Sequence, residues 1–254
     1  MITNWIRRRF DRAPGQTTDT VPCDIAPAAK VTAVGDIHGR LDLLQALLPR
    51  LDDQCSLVFV GDYIDRGPYS AQVLHHLRHL SETSEGRVHC LLGNHEEMLL
   101  RFLDVPECNA RLWFQNGGVQ TLASFGLKPP ENTNENQQVQ KLADDLRLKM
   151  GESLLNWLAD RPLAWTSGNV TFVHAALDPR QPVEVQEPQI CLWGHPMFPR
   201  LARSDGQWVV HGHTIVDLPR VKNRVLSLDT GAFASGRLTA AEINTGCVRF
   251  TSTV

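Results

Sequence analysis

Three short blocks, each placed directly after an apolar run, constrain this chain more than anything else in it. They are Gly35-Asp36-Ile37-His38-Gly39, Gly61-Asp62-Tyr63-Ile64-Asp65-Arg66-Gly67 and Gly93-Asn94-His95-Glu96, and they follow Val31–Val34, Leu57–Val60 and Val88–Leu92. Runs of that length, rich in Val and Leu and stopped by glycine, predict buried strands. Helical stretches at Leu41–Leu51 and Tyr69–Leu80 lie between them. Strand, block and helix therefore repeat, which is the pattern of parallel strands joined by crossover helices. In such sheets the carboxyl ends of the strands gather along one edge, where ligands bind. Asp36, His38, Asp62, Asp65, Arg66, Asn94 and His95 are expected to meet there from three strand ends.

The residue types say what that edge is for. Asp36 and His38 are two apart, so in extended chain both point the same way, and an acid with an imidazole at one spot suits a divalent metal. Gly-Asp-x-His-Gly alone could equally be a surface turn. Asp62 follows Asp36 by 26 residues, and two neighbouring carboxylates repel unless cations lie between them. Arg66 offers a planar, permanently charged donor for phosphate or carboxylate, although Asp65-Arg66-Gly67-Pro68 by itself also reads as a turn with an ion pair. Asn94 adds a neutral carbonyl oxygen, and His95 an imidazole able to hold or donate a proton. Three such blocks at three strand ends outweigh their separate bland readings and point to a two-metal hydrolase of phosphate esters.

The rest of the chain sets limits. Its 254 residues allow one substantial domain. Residues 1–28 read as a flexible tail and 29–254 as a single domain without repeats. Within the tail, Trp5-Ile6-Arg7-Arg8-Arg9-Phe10 leaves open a membrane-surface or partner-binding segment, and no secretory signal is expected. A net charge of −3 gives no basic footprint for nucleic acid. No apolar run approaches the ~18 residues of a membrane span. The six cysteines form no C-x-x-C pair and read as buried thiols of a reducing compartment, so the protein is expected in the cytoplasm. Leu142–Leu158 reads as one helix after a polar loop at 129–140, and Arg224–Ala232 and Gly236–Ile243 as strands.

The blocks match GDxHG, GDxxDRG and GNHE, and over roughly residues 30–245 the chain resembles the bacterial and phage-type phosphoprotein phosphatase branch of the calcineurin-like metallophosphoesterases. The resemblance implies an α/β fold, a sandwich of two mixed β-sheets flanked by helices, with a dimetal site at strand C-terminal ends. It implies that Asp62 bridges two ions, that Asp36 and His38 bind the first, and that Asn94, His174 and His213 bind the second. The two downstream histidines follow the apolar strand Asn169–Val173 and the run at Val209-Val210, and His211 lies one step off the ligand position. By the same resemblance a metal-bridging hydroxide attacks phosphorus directly, His95 oriented by Asp65 protonates the leaving alkoxide, and Arg66 binds the phosphate. The oxygen and imidazole set suits Mn²⁺ or Fe²⁺/Zn²⁺, and the resemblance to bacterial-type members favours Mn²⁺. Arg111–Gly118, with Trp113 and Phe114, also resembles this branch, and the aromatic pair either lines the cleft or packs in the core. One departure stands out. The family carries a second phosphate-binding Arg shortly after a Trp, but here Trp193 is followed by Gly194-His195-Pro196. Either His195 substitutes, or Arg200 or Arg203 reaches back, or phosphate is held more weakly.

These features lead to a serine/threonine protein phosphatase acting on phosphorylated proteins or small phosphoesters. The alternatives are a symmetrical dinucleoside tetraphosphate hydrolase, a generic phosphoesterase, or a catalytically weak domain that binds phosphorylated partners. The Asp65-Arg66-Gly67 triplet is the argument for the protein phosphatase.

Overall fold

The computed structural model describes residues 16–19, 24–130 and 135–254. Two mixed β-sheets pack face to face. The first has the order β1-β11-β10-β2-β3-β4 and the second β5-β6-β7-β9-β8. In chain order the strands are β1 Gln16–Asp19, β2 Val31–Val34, β3 Ser56–Phe59, β4 Val88–Cys90, β5 Ala164–Ser167, β6 Val170–Val173, β7 Trp208–His211, β8 Arg220–Lys222, β9 Val225–Ser227, β10 Thr239–Asn244 and β11 Cys247–Ser252. Strands β2, β3 and β4 run parallel, as do β6, β7 and β9, while β10 returns antiparallel to β2. The parallel triplets aim two sets of strand ends in a common direction, and the functional residues leave from them.

Alternation along the strands explains the layers. Val31, Ala33, Val58, Val170, Phe172, Trp208 and Val210 share one cluster with Ala241, Ile243 and Phe250, which is the core between the sheets. The intervening residues face outward. Val34 and Phe59 meet the helical layer, and Val173 and Val209 form a smaller cluster with Leu177 and Cys191. A period of two with both faces covered is what buried strands require.

The helices are α1 Leu41–Leu47, α2 Ser70–Thr83, α3 Asn94–Asp104, α4 Pro106–Trp113, α5 Val119–Ser124, α6 Asn136–Met150, α7 Glu152–Ala159, α8 Pro188–Trp193 and α9 Ala232–Ser235. Several differ from the sequence expectation for local reasons. Helix α1 ends early because Pro49 sits in a short 3₁₀ turn at Leu48–Arg50. The single helix expected at Leu142–Leu158 is two, broken at Gly151, whose φ of 75° is left-handed. The strand expected at Arg224–Ala232 is only Val225–Ser227, followed by a turn and α9. The polar loop expected at 129–140 already turns helical at Asn136.

Part of the segment expected to stand apart as a tail joins the domain. Strand β1 pairs antiparallel with β11, and Ile25 is fully buried between the sheets. The Trp5–Phe10 cluster lies outside the described residues. Of the thiols, Cys55, Cys90 and Cys191 are buried as expected, but Cys108 and Cys247 are exposed. No described helix is long and apolar enough to cross a membrane.

Candidate active site

The first sheet delivers Asp36 and His38 after β2, Asp62, Asp65 and Arg66 after β3, and Asn94 and His95 at the start of α3. The second sheet delivers His174 after β6 and His213 after β7. Asp36, His38, Asp62, Asp65, Asn94, His95 and His174 are all buried. Two groups of donor atoms converge, His38 with Asp62 and His95, and Asp62 with His174 and His213. Asp62 belongs to both.

Tight backbone geometry makes this convergence possible. His38, Asp62, Asp65, Arg66 and His213 all take φ between 47° and 70°, a region that non-glycine residues seldom occupy and that concentrates at functional sites. Close approach is equally demanding. A Cβ on Gly212 would lie 1.9 Å from Asp36 Oδ1, and one on Gly93 would lie 2.4 Å from Asp62 Oδ1. Glu96 ties the turns together by accepting backbone N–H bonds from Asp62, Tyr63, Ile64 and Gly93. His213 N–H binds Asp36, and His95 N–H binds Asp62 Oδ1 at 3.1 Å.

The ring tautomers follow from the carbonyls around them. His38 Nδ1–H donates to Ile64 O at 2.8 Å and His174 Nδ1–H to Val60 O at 3.0 Å. A carbonyl only accepts, so Nε2 of each ring carries a lone pair. Burial pushes His38 down to about 3 and His174 down to about 4, so both are neutral near pH 7. His174 Nε2 then lies 2.8 Å from Asn94 Oδ1 and 3.3 Å from Asp62 Oδ1, acceptor against acceptor. A cation beside them resolves that opposition.

The carboxylates make the same demand. Burial raises Asp36 well above the usual carboxylate range, with Asp229 and Asp62 adding to it. Burial also raises Asp229 to about 6. These donors therefore fit divalent cations, with imidazole nitrogen, carboxylate and amide oxygen and no thiolate.

A second arrangement surrounds His95. Its Nδ1–H donates to Asp65 Oδ2 at 2.7 Å. Burial alone would lower this imidazole, but Asp62 and Asp65 outweigh it and raise it above the ordinary range. Asp65 has no exposed surface and also accepts Trp113 Nε1–H at 3.0 Å and Thr121 Oγ–H at 2.6 Å. Trp113 thus does not line the cleft. It is fully buried and holds the carboxylate that holds His95. Arg66 Nη1 donates to His38 Nε2 at 3.0 Å, and its guanidinium lies 4.7 Å over the Phe233 ring of α9. The amino end of α3 opens at the same place, which favours anions.

Other predicted residues lie elsewhere. Arg200 is exposed. Arg203 is buried and spends its donors on Asp178 O, Gln181 O and Asp205, so it cannot reach back to a phosphate. His195 lines a cavity next to His213. His211 points away from the cluster to Ser227 Oγ at 2.8 Å. The sequence pattern assigned no role to Glu96, Thr121, Phe233 or Asp229, although Glu96 completes the third block.

Residues 29–217 match the family described as Calcineurin-like phosphoesterase. The bis(5′-nucleosyl)-tetraphosphatase PrpE (asymmetrical) of Bacillus velezensis is 28% identical over 233 residues, covering 81% of this chain and 86% of that protein. The symmetrical bis(5′-nucleosyl)-tetraphosphatase of a Janthinobacterium species is 31% identical over 151 residues, covering 58% of this chain and 44% of that protein. A crystal structure described as that of a candidate diadenosine tetraphosphatase superposes with a TM-score of 0.62 at 22% identity, covering 89% of this chain and 94% of that one, a likeness of fold. These similarities overturn the expectation of a serine/threonine protein phosphatase. The physical reason lies in the triplet used to argue for it. Asp65 holds His95 and Arg66 faces the donor cluster, so neither side chain is placed to tell a phosphoprotein from another phosphoester.

Proposed function

The chain belongs to the calcineurin-like phosphoesterase family, and on that footing we propose that it hydrolyses dinucleoside tetraphosphates. The observation that carries the reading is the alignment with a bis(5′-nucleosyl)-tetraphosphatase along 81% of the chain. Two divalent ions, Mn²⁺ by donor type, would be held by Asp36, His38 and Asp62 and by Asp62, Asn94, His174 and His213, and when bound they supply Lewis-acid activation of water and of phosphoryl oxygens.

The chain's own groups then divide the remaining work. Arg66 addresses the equatorial phosphoryl oxygens, and its stacking on Phe233 limits where the guanidinium can swing. His95, whose imidazole Asp62 and Asp65 raise above the ordinary range, gives its Nε2 proton to the departing oxygen. Asp65 fixes the ring through Nδ1 and is itself fixed by Trp113 and Thr121. Glu96 keeps the two turns that carry Asp62 and Asn94 in register.

The test is hydrolysis of diadenosine tetraphosphate and a phosphoserine peptide by the Mn²⁺-loaded protein, with products separated by ion exchange. Preference for the dinucleotide is the expected result. Two ADP would mark symmetrical cleavage, and AMP with ATP asymmetrical cleavage. No dinucleotide turnover by protein that still cleaves p-nitrophenyl phosphate would overturn the proposal.

A further inference from the structure

A cavity of about 410 Å³ opens beside the site, bounded by Trp193, His195, Pro196, Phe198, His213 and Thr214. It shares His213 with the donor cluster, so whatever fills it touches the place where the phosphoryl group is handled. Its volume falls in the range of small-ligand pockets. Trp193, Pro196 and Phe198 give it apolar and aromatic walls, and Trp193 is anchored by its Nε1–H to Glu97 at 2.6 Å.

More of the lining is polar than apolar, and among the described residues none of its polar groups is a fixed cation. Among the described residues no lysine or arginine lines the cavity. Arg203 is committed to Asp178 O and Gln181 O, as described above. His195 Nδ1 accepts the Met197 N–H at 3.3 Å, which leaves the ring proton on Nε2. That Nε2–H stands 4.0 Å from Asp178 Oδ2, beyond hydrogen-bond reach, and is free to donate to a ligand. Thr214 adds a hydroxyl. Such a cavity is poorly built for a phosphate chain and well built for a flat, polar-edged ring, since aromatic faces stack bases and single donors read their edges.

We propose that this cavity is a nucleoside subsite, holding one purine nucleoside of the substrate against the Trp193–Phe198 wall with His195 Nε2–H on its polar edge. The phosphate chain then runs from the cavity past His213 to Arg66. The inference rests on the dinucleoside tetraphosphate reading, and it makes His195 a specificity residue rather than a stand-in for an arginine.

The experiment compares AMP with inorganic phosphate as inhibitors of p-nitrophenyl phosphate hydrolysis by the Mn²⁺-loaded full-length protein. Both carry a phosphate for the site, and only AMP carries a nucleoside. AMP should inhibit at a concentration at least tenfold lower than phosphate, and His195→Ala should shrink that ratio at least fivefold. Equal inhibition by the two in the wild type would overturn the proposal, and this arm needs no variant to fold. An unchanged ratio in His195→Ala would overturn the role of His195. Were the AMP preference present but diadenosine tetraphosphate not cleaved, the subsite would stand and the reading of the natural substrate would fall.

Discussion

Replacing Trp113 by Phe should damage catalysis without touching the reacting atoms. Trp113 Nε1–H lies 3.1 and 3.0 Å from the two oxygens of Asp65, which is wholly buried and, among the described residues, has His95 and Thr121 as its other side-chain donors. Removing a donor from a buried ionised group costs about 1.5–3 kcal/mol. For a chain of this size that corresponds to a Tm lowered by about 3–10 °C. The ring also packs on Phe102, with centroids 4.8 Å apart, so part of any loss is volume rather than hydrogen bonding. A double-mutant cycle with Asp65→Asn separates the two, because only the hydrogen bond depends on both partners. The coupling should be about 1 kcal/mol or more, and kcat for diadenosine tetraphosphate should fall roughly tenfold through misorientation of His95, as for other supporting residues. Differential scanning fluorimetry and steady-state kinetics on the four proteins give both numbers. Strict additivity, with kcat within twofold of wild type in Trp113→Phe, would refute the reasoning and leave Trp113 as packing.

The other expectations are more compact. Gly212→Ala forces Asp36 or the His213 turn to move by about 1 Å or more, since its Cβ would sit 1.9 Å from Asp36 Oδ1; a shift of that size costs about 10²-fold in rate, and Gly126→Ala, where a Cβ meets nothing within 4 Å but a φ of +76° strains the backbone, should lower stability and keep wild-type kcat. Adding Mn²⁺ to EDTA-treated protein should raise Tm, by about 2.7 kcal/mol of stabilisation at 100-fold excess over Kd, and Asn94→Ala should lose most of that rise as read by scanning fluorimetry. Arg203→Ala strips donors from two loop carbonyls and should cost about 1.5–3 kcal/mol in urea unfolding, while a raised inhibition constant for phosphate at unchanged stability would return Arg203 to the substrate. His95→Asn should slow phosphoserine hydrolysis more than dinucleotide hydrolysis, because an alkoxide needs the proton more than a departing phosphate does; equal losses in kcat would argue against His95 as the acid.

What the sequence made legible is what contiguous chain encodes. Each metal-facing block lies within a few residues of a strand end, so its residue types, its spacing and its direction were all visible before any contact was known. The two downstream histidines were singled out by the family resemblance, which calls for two more ligands, and the apolar runs before them only marked where to look. Asp65 illustrates the boundary. Its own position was plain, but Trp113 and Thr121 reach it from helices about fifty residues further on, and no periodicity links them. Arg203 shows the opposite error. Its charge made it a phosphate-binding candidate, and only the structure reveals the two carbonyls and the Asp205 side chain that consume its donors. The helix break at Gly151 was readable, since a glycine inside a helical stretch is a common stop; around it Leu146, Leu154 and Leu158 are buried and Leu155 is half-buried.

The substrate was the least legible part, and the layout of the site explains why. On the proposed reading, the residues contributed by the strand ends address a phosphoryl group, its attacking water or its departing oxygen, and these are common to phosphoproteins, small esters and dinucleotides alike. Discrimination has to come from what lies just beyond that reach. One such flank is the cavity at Trp193–Phe198. Another is Phe233 beneath Arg66, with Ile215 exposed close to Gly231. These flanks sit on α8 and the loop after it, on the loop after β7 and on α9, none of them within the three blocks. Aromatic or apolar surface at two places beside a cation-demanding centre suits a polyphosphate with a nucleoside at each end. A phosphopeptide would instead need an open, polar groove for its backbone. Changing the flanks should therefore redirect the enzyme among phosphoesters, whereas changing the blocks should only slow it.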